Sequence, residues 1–316
     1  MGYDDRKQYL NLSNNAFYIM NCDALAFAGK KVSSSRVESG FLNRIFLNFL
    51  QDKEKMENLM NREEQYTKGV QFNFRLQTKA EKQISSIETN KKSRLCKKFI
   101  FSGYFNRNKC LKAVFEEYAG LPYYEREKIY FRSEFEFLCL CCKSSQPVGF
   151  DYRKGKETVY ISMLPYDIRL DEWSSYNYLI GITKSGKIIN CRLSFIQNLH
   201  SVSGNFSDLH KKSKIIEERI MTNGVQFLGS EPQKIIVRLT ETGQNMYSTM
   251  IYLRPHYESC NPQSGIYEFF CTPTQIRYYF FKFGGEAEII EPEILRQQFI
   301  DDYKKALDNY LKNSDE

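Results

Sequence analysis

Lys7-Gln8-Tyr9-Leu10-Asn11-Leu12-Ser13 and Gln71-Phe72-Asn73-Phe74-Arg75-Leu76-Gln77 alternate in character residue by residue. In the first, Gln8, Leu10 and Leu12 share one face, with Lys7, Tyr9 and Asn11 on the other. In the second, Phe72, Phe74 and Leu76 lie behind Gln71, Asn73 and Arg75. A period of two with one apolar face predicts a half-buried strand. Each segment leads through a helical pattern to Ser39-Gly40-Phe41-Leu42-Asn43-Arg44 or its near copy Ser102-Gly103-Tyr104-Phe105-Asn106-Arg107, where a second helix is expected to open. A strand with two helices, present twice, cannot bury its own apolar face, so the copies are expected to pair. Closure within one chain is favoured because the connection after the first copy is short. The antiparallel pair would leave a polar ribbon exposed, with Lys7, Tyr9, Asn11, Asn73 and Arg75 as candidate nucleic-acid contacts. Asn and Arg suit base edges in a major groove, whereas Tyr9 suits an unpaired base. DNA and RNA both remain open at this point.

Charge adds a second candidate. The net charge is +7, yet residues 91 to 112 hold eight lysines and arginines and no carboxylate, so the remainder is close to neutral. Lys97, Lys98 and Lys109 in that stretch are candidate phosphate contacts. Phe99, Phe101, Tyr104 and Phe105, interleaved with them, suit bases that stack. Ser39 and Ser102, placed near expected helix N-termini, add backbone N–H groups that favour phosphate.

The 316 residues, 42% hydrophobic and 26% charged, have the composition of a globular protein with room for two or three domains. No apolar run reaches eighteen residues, so no membrane span is expected. Nine cysteines without an export signal predict reduced thiols and a cytoplasmic location. Helices are expected over 14–28, 41–55, 78–88, 108–119 and 123–131, while 134–142 is apolar and of ambiguous type. Ser144-Ser145-Gln146-Pro147 breaks the pattern, and 148–202 reads as short β-strands with tight turns at Lys154-Gly155-Lys156 and Ser185-Gly186. Beyond the linker 205–214, a helix is expected over 215–221. Strands are expected over 234–239, 246–253, 265–271, 278–283 and within the closing run from Gly284, and a terminal helix at Pro292. The division is 1–130, 131–210 and 211–316, and the class is α+β.

Leu164 to Val202 contains Asn177-Tyr178-Leu179 and Cys191-Arg192-Leu193-Ser194-Phe195-Ile196, with Pro165 ahead of the strand that carries Arg169. On these residues the stretch resembles a WYL domain, a small Sm-like β-barrel named for Trp-Tyr-Leu. Here the tryptophan is replaced by Asn177 and the second arginine of the later motif is lost. The closing Gly284 to Arg296 is similar to the α/β extension that follows many WYL domains, so the likeness spans roughly 145 to 310. The front half resembles a ribbon-helix-helix unit. That combination resembles the WYL accessory proteins of type VI-D CRISPR systems, which bind single-stranded RNA and stimulate an RNA-targeting effector nuclease. The resemblance implies a ligand pocket of Tyr178 and Arg192 with Arg169 and Tyr152 beside them. It also implies single-stranded RNA and a CRISPR effector nuclease as partners. A homodimer is expected from the repeat; with the ribbon closed within one chain, its contact would come from the C-terminal section, whose terminal helix presents Phe299, Tyr303, Leu307 and Tyr310 at helical spacing. The alternative is a DNA-binding transcription regulator whose WYL domain senses a ligand.

Catalysis finds little support. His200, His210 and His256 lack metal-ligand spacing, and none has an arginine upstream at the interval of HEPN ribonucleases. No Gly-rich phosphate loop and no Gly-x-Ser-x-Gly elbow occurs. Cys139 and Cys142 have no second pair at zinc spacing. No enzyme, no metal and no cofactor is expected.

Overall fold

The computed structural model describes residues 6–29, 33–62, 69–155, 157–206 and 209–312. The connection at 30–32, the turn residue Lys156 and linker residues 207–208 lie outside the described residues. Contacts divide the chain into two units. The first is Met1–Phe137 with Ser175–Asn177 and Leu193–Ile196; the second is Leu138–Ser174, Tyr178–Arg192 and Gln197–Glu316.

The first unit opens with β1 (Lys7–Ser13), α1 (Asn14–Ala28), α2 (Ser39–Phe49), α3 (Lys53–Asn61), β2 (Gly69–Arg75) and α4 (Thr78–Thr89). It continues with α5 (Arg94–Lys98), β3 (Ile100–Phe101), β4 (Tyr104–Phe105), α6 (Arg107–Gly120), α7 (Tyr123–Tyr130) and the start of α8 (Arg132–Ser144). β1 and β2 pair antiparallel within the chain, Lys7 opposite Arg75, Tyr9 opposite Asn73 and Leu10 opposite Phe72. Gly69 stands opposite Ser13, where a Cβ would come within 1.8 Å of the Leu12 carbonyl oxygen, so only glycine fits there. The ribbon's inner face is buried: Phe72 meets Phe17 of α1 edge-on at 5.6 Å, and Phe74 meets Phe115 of α6 at 6.0 Å. Ser13 caps α1, and its N–H and hydroxyl donate to the Glu116 carboxylate at 2.6 and 2.8 Å.

The two hexapeptides fold differently, against expectation. Ser39 and Gly40 do open α2, because the Glu38 carboxylate accepts from the Phe41 N–H at 2.6 Å. Ser102 and Gly103 instead make the turn of the β3–β4 hairpin, with φ of 50° and 85°. Two central residues with positive φ suit a two-residue hairpin, and the flanking Phe101 and Tyr104 are strand formers. The second helix therefore begins only after Asn106, whose side chain caps it at the Lys109 N–H.

Two buried carboxylates tie this unit together. Asp23 on α1 accepts from Arg126 Nε at 2.6 Å and from the Tyr118 hydroxyl at 2.9 Å. Glu127 on α7 is 0% exposed. It accepts from the Asn177 N–H and side-chain amide at 2.9 and 2.8 Å, and from the Ser194 N–H at 3.1 Å. A buried carboxylate needs such donors to offset its lost hydration.

The second unit holds β5 (Val148–Lys154), β6 (Glu157–Asp171), β7 (Tyr176–Thr183, whose first two residues belong to the first unit), β8 (Ile188–Arg192) and β9 (Ile196–Ser201, whose first residue also does) in a sheet of order β8-β7-β6-β5-β9. Among the described residues the expected closed barrel is not formed: β8 and β9 are the two edges of the sheet. The 3-10 turn Leu193–Phe195 ends β8 and carries the chain to the opposite edge. α9 (Leu209–Asn223) follows, and its Ile216 packs with Ile180, Ile182 and Ile188.

The remainder of the unit runs β10 (Gln233–Leu239), α10 (Glu241–Thr249), β11 (Tyr257–Asn261), β12 (Ile266–Cys271), α11 (Pro273–Phe280), β13 (Ala287–Glu291) and α12 (Glu293–Lys312). Its antiparallel sheet has the order β11-β12-β10-β13, the βαββαβ arrangement of ferredoxin-like folds. Two segments expected as strands are not strands. Most of 246–253 belongs to α10 and its C-terminal turn: Thr240 caps the helix at the Gly243 N–H, and Tyr247 is buried with Met246 and Met250 against it. The segment 278–283 completes α11 and a 3-10 turn. Thr272 and Pro273 set the start, and Ile276, Tyr279, Phe280 and Phe283 face the core at helical spacing. β11 carries no alternation and escaped the sequence reading; all five of its residues are exposed.

Candidate nucleic-acid interface

The polar face of the ribbon presents Lys7, Tyr9 and Asn11 from β1 against Arg75, Asn73 and Gln71 from β2, each pair directly opposite. Lys7, Tyr9, Gln71, Asn73 and Arg75 are exposed and Asn11 half-buried. Tyr9, 59% exposed, carries the Lys7 ammonium 5.3 Å from its ring centre. Asn11 Oδ1 has no hydrogen-bond partner among the described residues. The face contains no carboxylate and is about 23 Å long at 3.3 Å per residue. Asn43 holds the ribbon's end in place: its amide donates to the Arg75 carbonyl at 2.9 Å and its oxygen accepts from the Gln77 N–H at 2.8 Å. Gln71 completes the face and was missing from the candidate binders, although its place in the alternation marks it.

The basic stretch divides into free and internally committed cations. Lys97 is exposed on α5. Lys98 is committed: its ammonium donates to the carbonyls of Met60 and Arg62 at 3.1 and 2.7 Å, neutralising the C-terminus of α3. Arg94 is paired with Glu57, and Arg107 with Glu81 and Glu88. Lys109 lies 4.9 Å from the ring centre of Phe101. Ser102, expected beside a helix N-terminus, sits in the β3–β4 turn instead.

In the second unit, Tyr178 on β7 lies opposite Arg192 on β8. The Arg192 N–H donates to the Tyr152 hydroxyl at 3.3 Å, which brings β5 to the same cluster. Burial pushes the Tyr178 phenol up to about 12 and raises that of Tyr152, so both are neutral donors at physiological pH. The Ser174 hydroxyl near Tyr178 donates to Asp171 at 2.6 Å. Arg169 does not share this environment. Its guanidinium is held by Glu217 at 2.7 Å through both terminal nitrogens and by Asp167 at 2.9 Å, so its fork is occupied. These two carboxylates lie 2 and 48 residues from Arg169 in the chain, and only the near one was visible by spacing. Asn177, which stands where the WYL motif has tryptophan, is buried on Glu127.

No helix among the described residues is long and apolar enough to cross a membrane. The nine cysteines are free thiols. No family model matches the chain, and no curated protein matches it in sequence. Among solved structures, one titled as a CRISPR Cas-related protein superposes with a TM-score of 0.75, covering 99% of this chain and 96% of its own at 20% identity. Proteasome accessory factor B/C of Arthrobacter aurescens gives a TM-score of 0.32 at 14% identity over 94% of this chain and 49% of its own, too low to inform the fold. The chain therefore shares the fold of a CRISPR Cas-related protein along almost its whole length.

Proposed function

We propose that the protein is a non-catalytic, single-stranded-RNA-binding accessory that stimulates an RNA-targeting CRISPR effector nuclease, acting as a cytoplasmic homodimer. The observation that carries this reading is the ribbon: six polar side chains in register, without a carboxylate, on a face held by a fully buried core. The shared fold with a CRISPR Cas-related protein supports the setting. The neutral phenols of Tyr152 and Tyr178 beside Arg192 supply a second patch of stacking and hydrogen-bonding groups.

A two-stranded ribbon also fits a DNA major groove, so the competing reading is a duplex-DNA-binding regulator. Titration of one preparation against single-stranded RNA, single-stranded DNA and duplex DNA at fixed salt separates the two. Tighter binding to single strands is expected, with no cleavage of the RNA, and with a faster effector reaction when the protein is added. Preference for one duplex sequence would overturn the accessory reading. Leu307 and Tyr310 at the end of α12 remain exposed while Phe299 and Tyr303 are covered by their own unit, so the dimer contact is expected at that end. Light scattering at micromolar concentration should give twice 37.3 kDa, and Leu307→Lys with Tyr310→Lys should halve it.

A further inference from the structure

The β3–β4 hairpin has a composition that folding alone does not explain. Its four strand residues are Ile100, Phe101, Tyr104 and Phe105, and three of them face solvent: Ile100 is 40% exposed, Phe101 63% and Tyr104 81%. Exposed aromatics at the tip of a two-residue turn add nothing to a core and cost solubility. Two-residue strands are too short to persist alone. This hairpin is instead fixed at its base, where Phe99 is buried, the Asn106 N–H donates to the Phe99 carbonyl at 2.8 Å, and Asn106 caps α6. The left-handed Ser102 and Gly103 then hold the tip in one shape.

The surroundings say what the tip is for. Lys91, Lys92 and Lys97 on its N-terminal side are exposed, and Lys109 on its C-terminal side holds an ammonium 4.9 Å from the Phe101 ring. No carboxylate occurs between residues 91 and 112. Among the described residues, Glu57 is taken by Arg94, and Glu81 and Glu88 by Arg107. Flat rings flanked by lysines complement a polyanion with exposed π-faces. An unpaired nucleotide strand has that chemistry, and a duplex, whose bases are already stacked, does not.

We propose that this hairpin is a stacking finger: Phe101 and Tyr104 receive unpaired bases of a single-stranded nucleic acid while the exposed Lys97, with Lys91 and Lys92, holds the adjoining phosphates. The inference rests on the single-strand-binding reading above and adds base contacts at a hairpin which that reading does not use. Both rings present faces of the kind every base can stack on, so the finger tolerates sequence and discriminates against strands without bases.

The test compares a fluorescent 15-nucleotide single-stranded RNA with an abasic phosphodiester strand of equal length, using the full chain and the double variant Phe101→Ala, Tyr104→Ala. Wild type should bind the RNA about tenfold or more tighter than the abasic strand, as loss of one or two stacked bases implies. The double variant should keep the abasic affinity and lose about tenfold in RNA affinity, leaving only the contribution of the ribbon and of Tyr152 and Tyr178, while Phe101→Tyr with Tyr104→Phe should restore it. A double variant with unchanged melting temperature and wild-type RNA affinity would overturn the finger and leave the function standing. Equal loss on both strands would also overturn it, as would an altered oligomeric state with RNA binding intact, which marks a protein contact. Wild-type protein that binds no single-stranded RNA would remove the functional reading itself, and the finger with it.

Discussion

Lys97 and Lys98 are neighbours in the chain, but one ammonium faces water and the other closes the carbonyl end of α3. Lys97→Gln should therefore shallow the dependence of RNA affinity on salt, by roughly 0.7 in the logarithmic slope for one lost phosphate contact. Lys98→Gln should leave the slope as it is and lower the melting temperature. Equal slopes for wild type and Lys97→Gln in a salt titration would show that Lys97 faces something else. In the second unit, Arg192→Ala with Tyr178→Phe should weaken RNA binding by about 1.5–3 kcal/mol without unfolding, because phenylalanine keeps the packing of Tyr178 against Ile180 and its neighbours. Unchanged affinity in the folded variant would remove the pocket. The alternation of Lys7 to Ser13 told correctly which side chains face outward, since a strand has only two faces. It could not tell which cations are already paired, because Arg169 meets Glu217, and Lys98 meets Arg62, across gaps that only the fold closes.

At the level of elements, α1 and α7 are joined through Asp23 and Arg126, both carrying charge in a nearly dry setting. Asp23→Asn should destabilise the protein by about 3–5 kcal/mol, because the Arg126 guanidinium keeps its desolvation cost and loses its counter-charge. Chemical denaturation monitored by circular dichroism measures this, and a loss below 1 kcal/mol would mean that water reaches the pair. The ribbon strands were legible from sequence because their alternation is local. The second hexapeptide was not: Ser-Gly opens a helix beside Glu38 and turns a hairpin beside Phe101 and Tyr104, so the flanks decide. The segments 246–253 and 278–283 misled for a related reason. Their aromatic and aliphatic density is that of buried strands, while the helix-defining signals, Thr240 and Thr272-Pro273, stand just upstream of each run.

Over the whole molecule, burial raises several acidic groups together. The thiols of Cys110, Cys142, Cys191 and Cys271 are pushed from an ordinary 9.0 up to about 12, and the phenols of Tyr178 and Tyr279 from 10.0 up to about 12. The unfolded chain then releases these protons at lower pH than the folded one. Stability should be level below pH 9 and fall as pH rises from 9 to 12. Melting temperature measured across that range with reductant present checks it, and a flat profile to pH 12 would show these groups to be hydrated. The α+β class and the β texture of 148–202 were readable because turns and strands alternate there at short range. Closure of that sheet was not, since whether β8 meets β9 depends on how the 3-10 turn at Leu193–Phe195 directs the chain.

Glu127 makes the order of synthesis matter. Its donors Asn177 and Ser194 leave the ribosome roughly fifty and seventy residues after it, so until then α7 carries a buried-type carboxylate that lacks these three hydrogen bonds. At 5–20 residues per second the wait is about 3–14 s. The helical half of the chain is thus expected to emerge before it can close. Ribosome-bound chains with only the first 137 residues exposed should be cut readily by protease, and those exposing residue 200 should resist. Glu127→Gln should blur that contrast by leaving Asn177 and Ser194 with a weaker acceptor even in the finished chain.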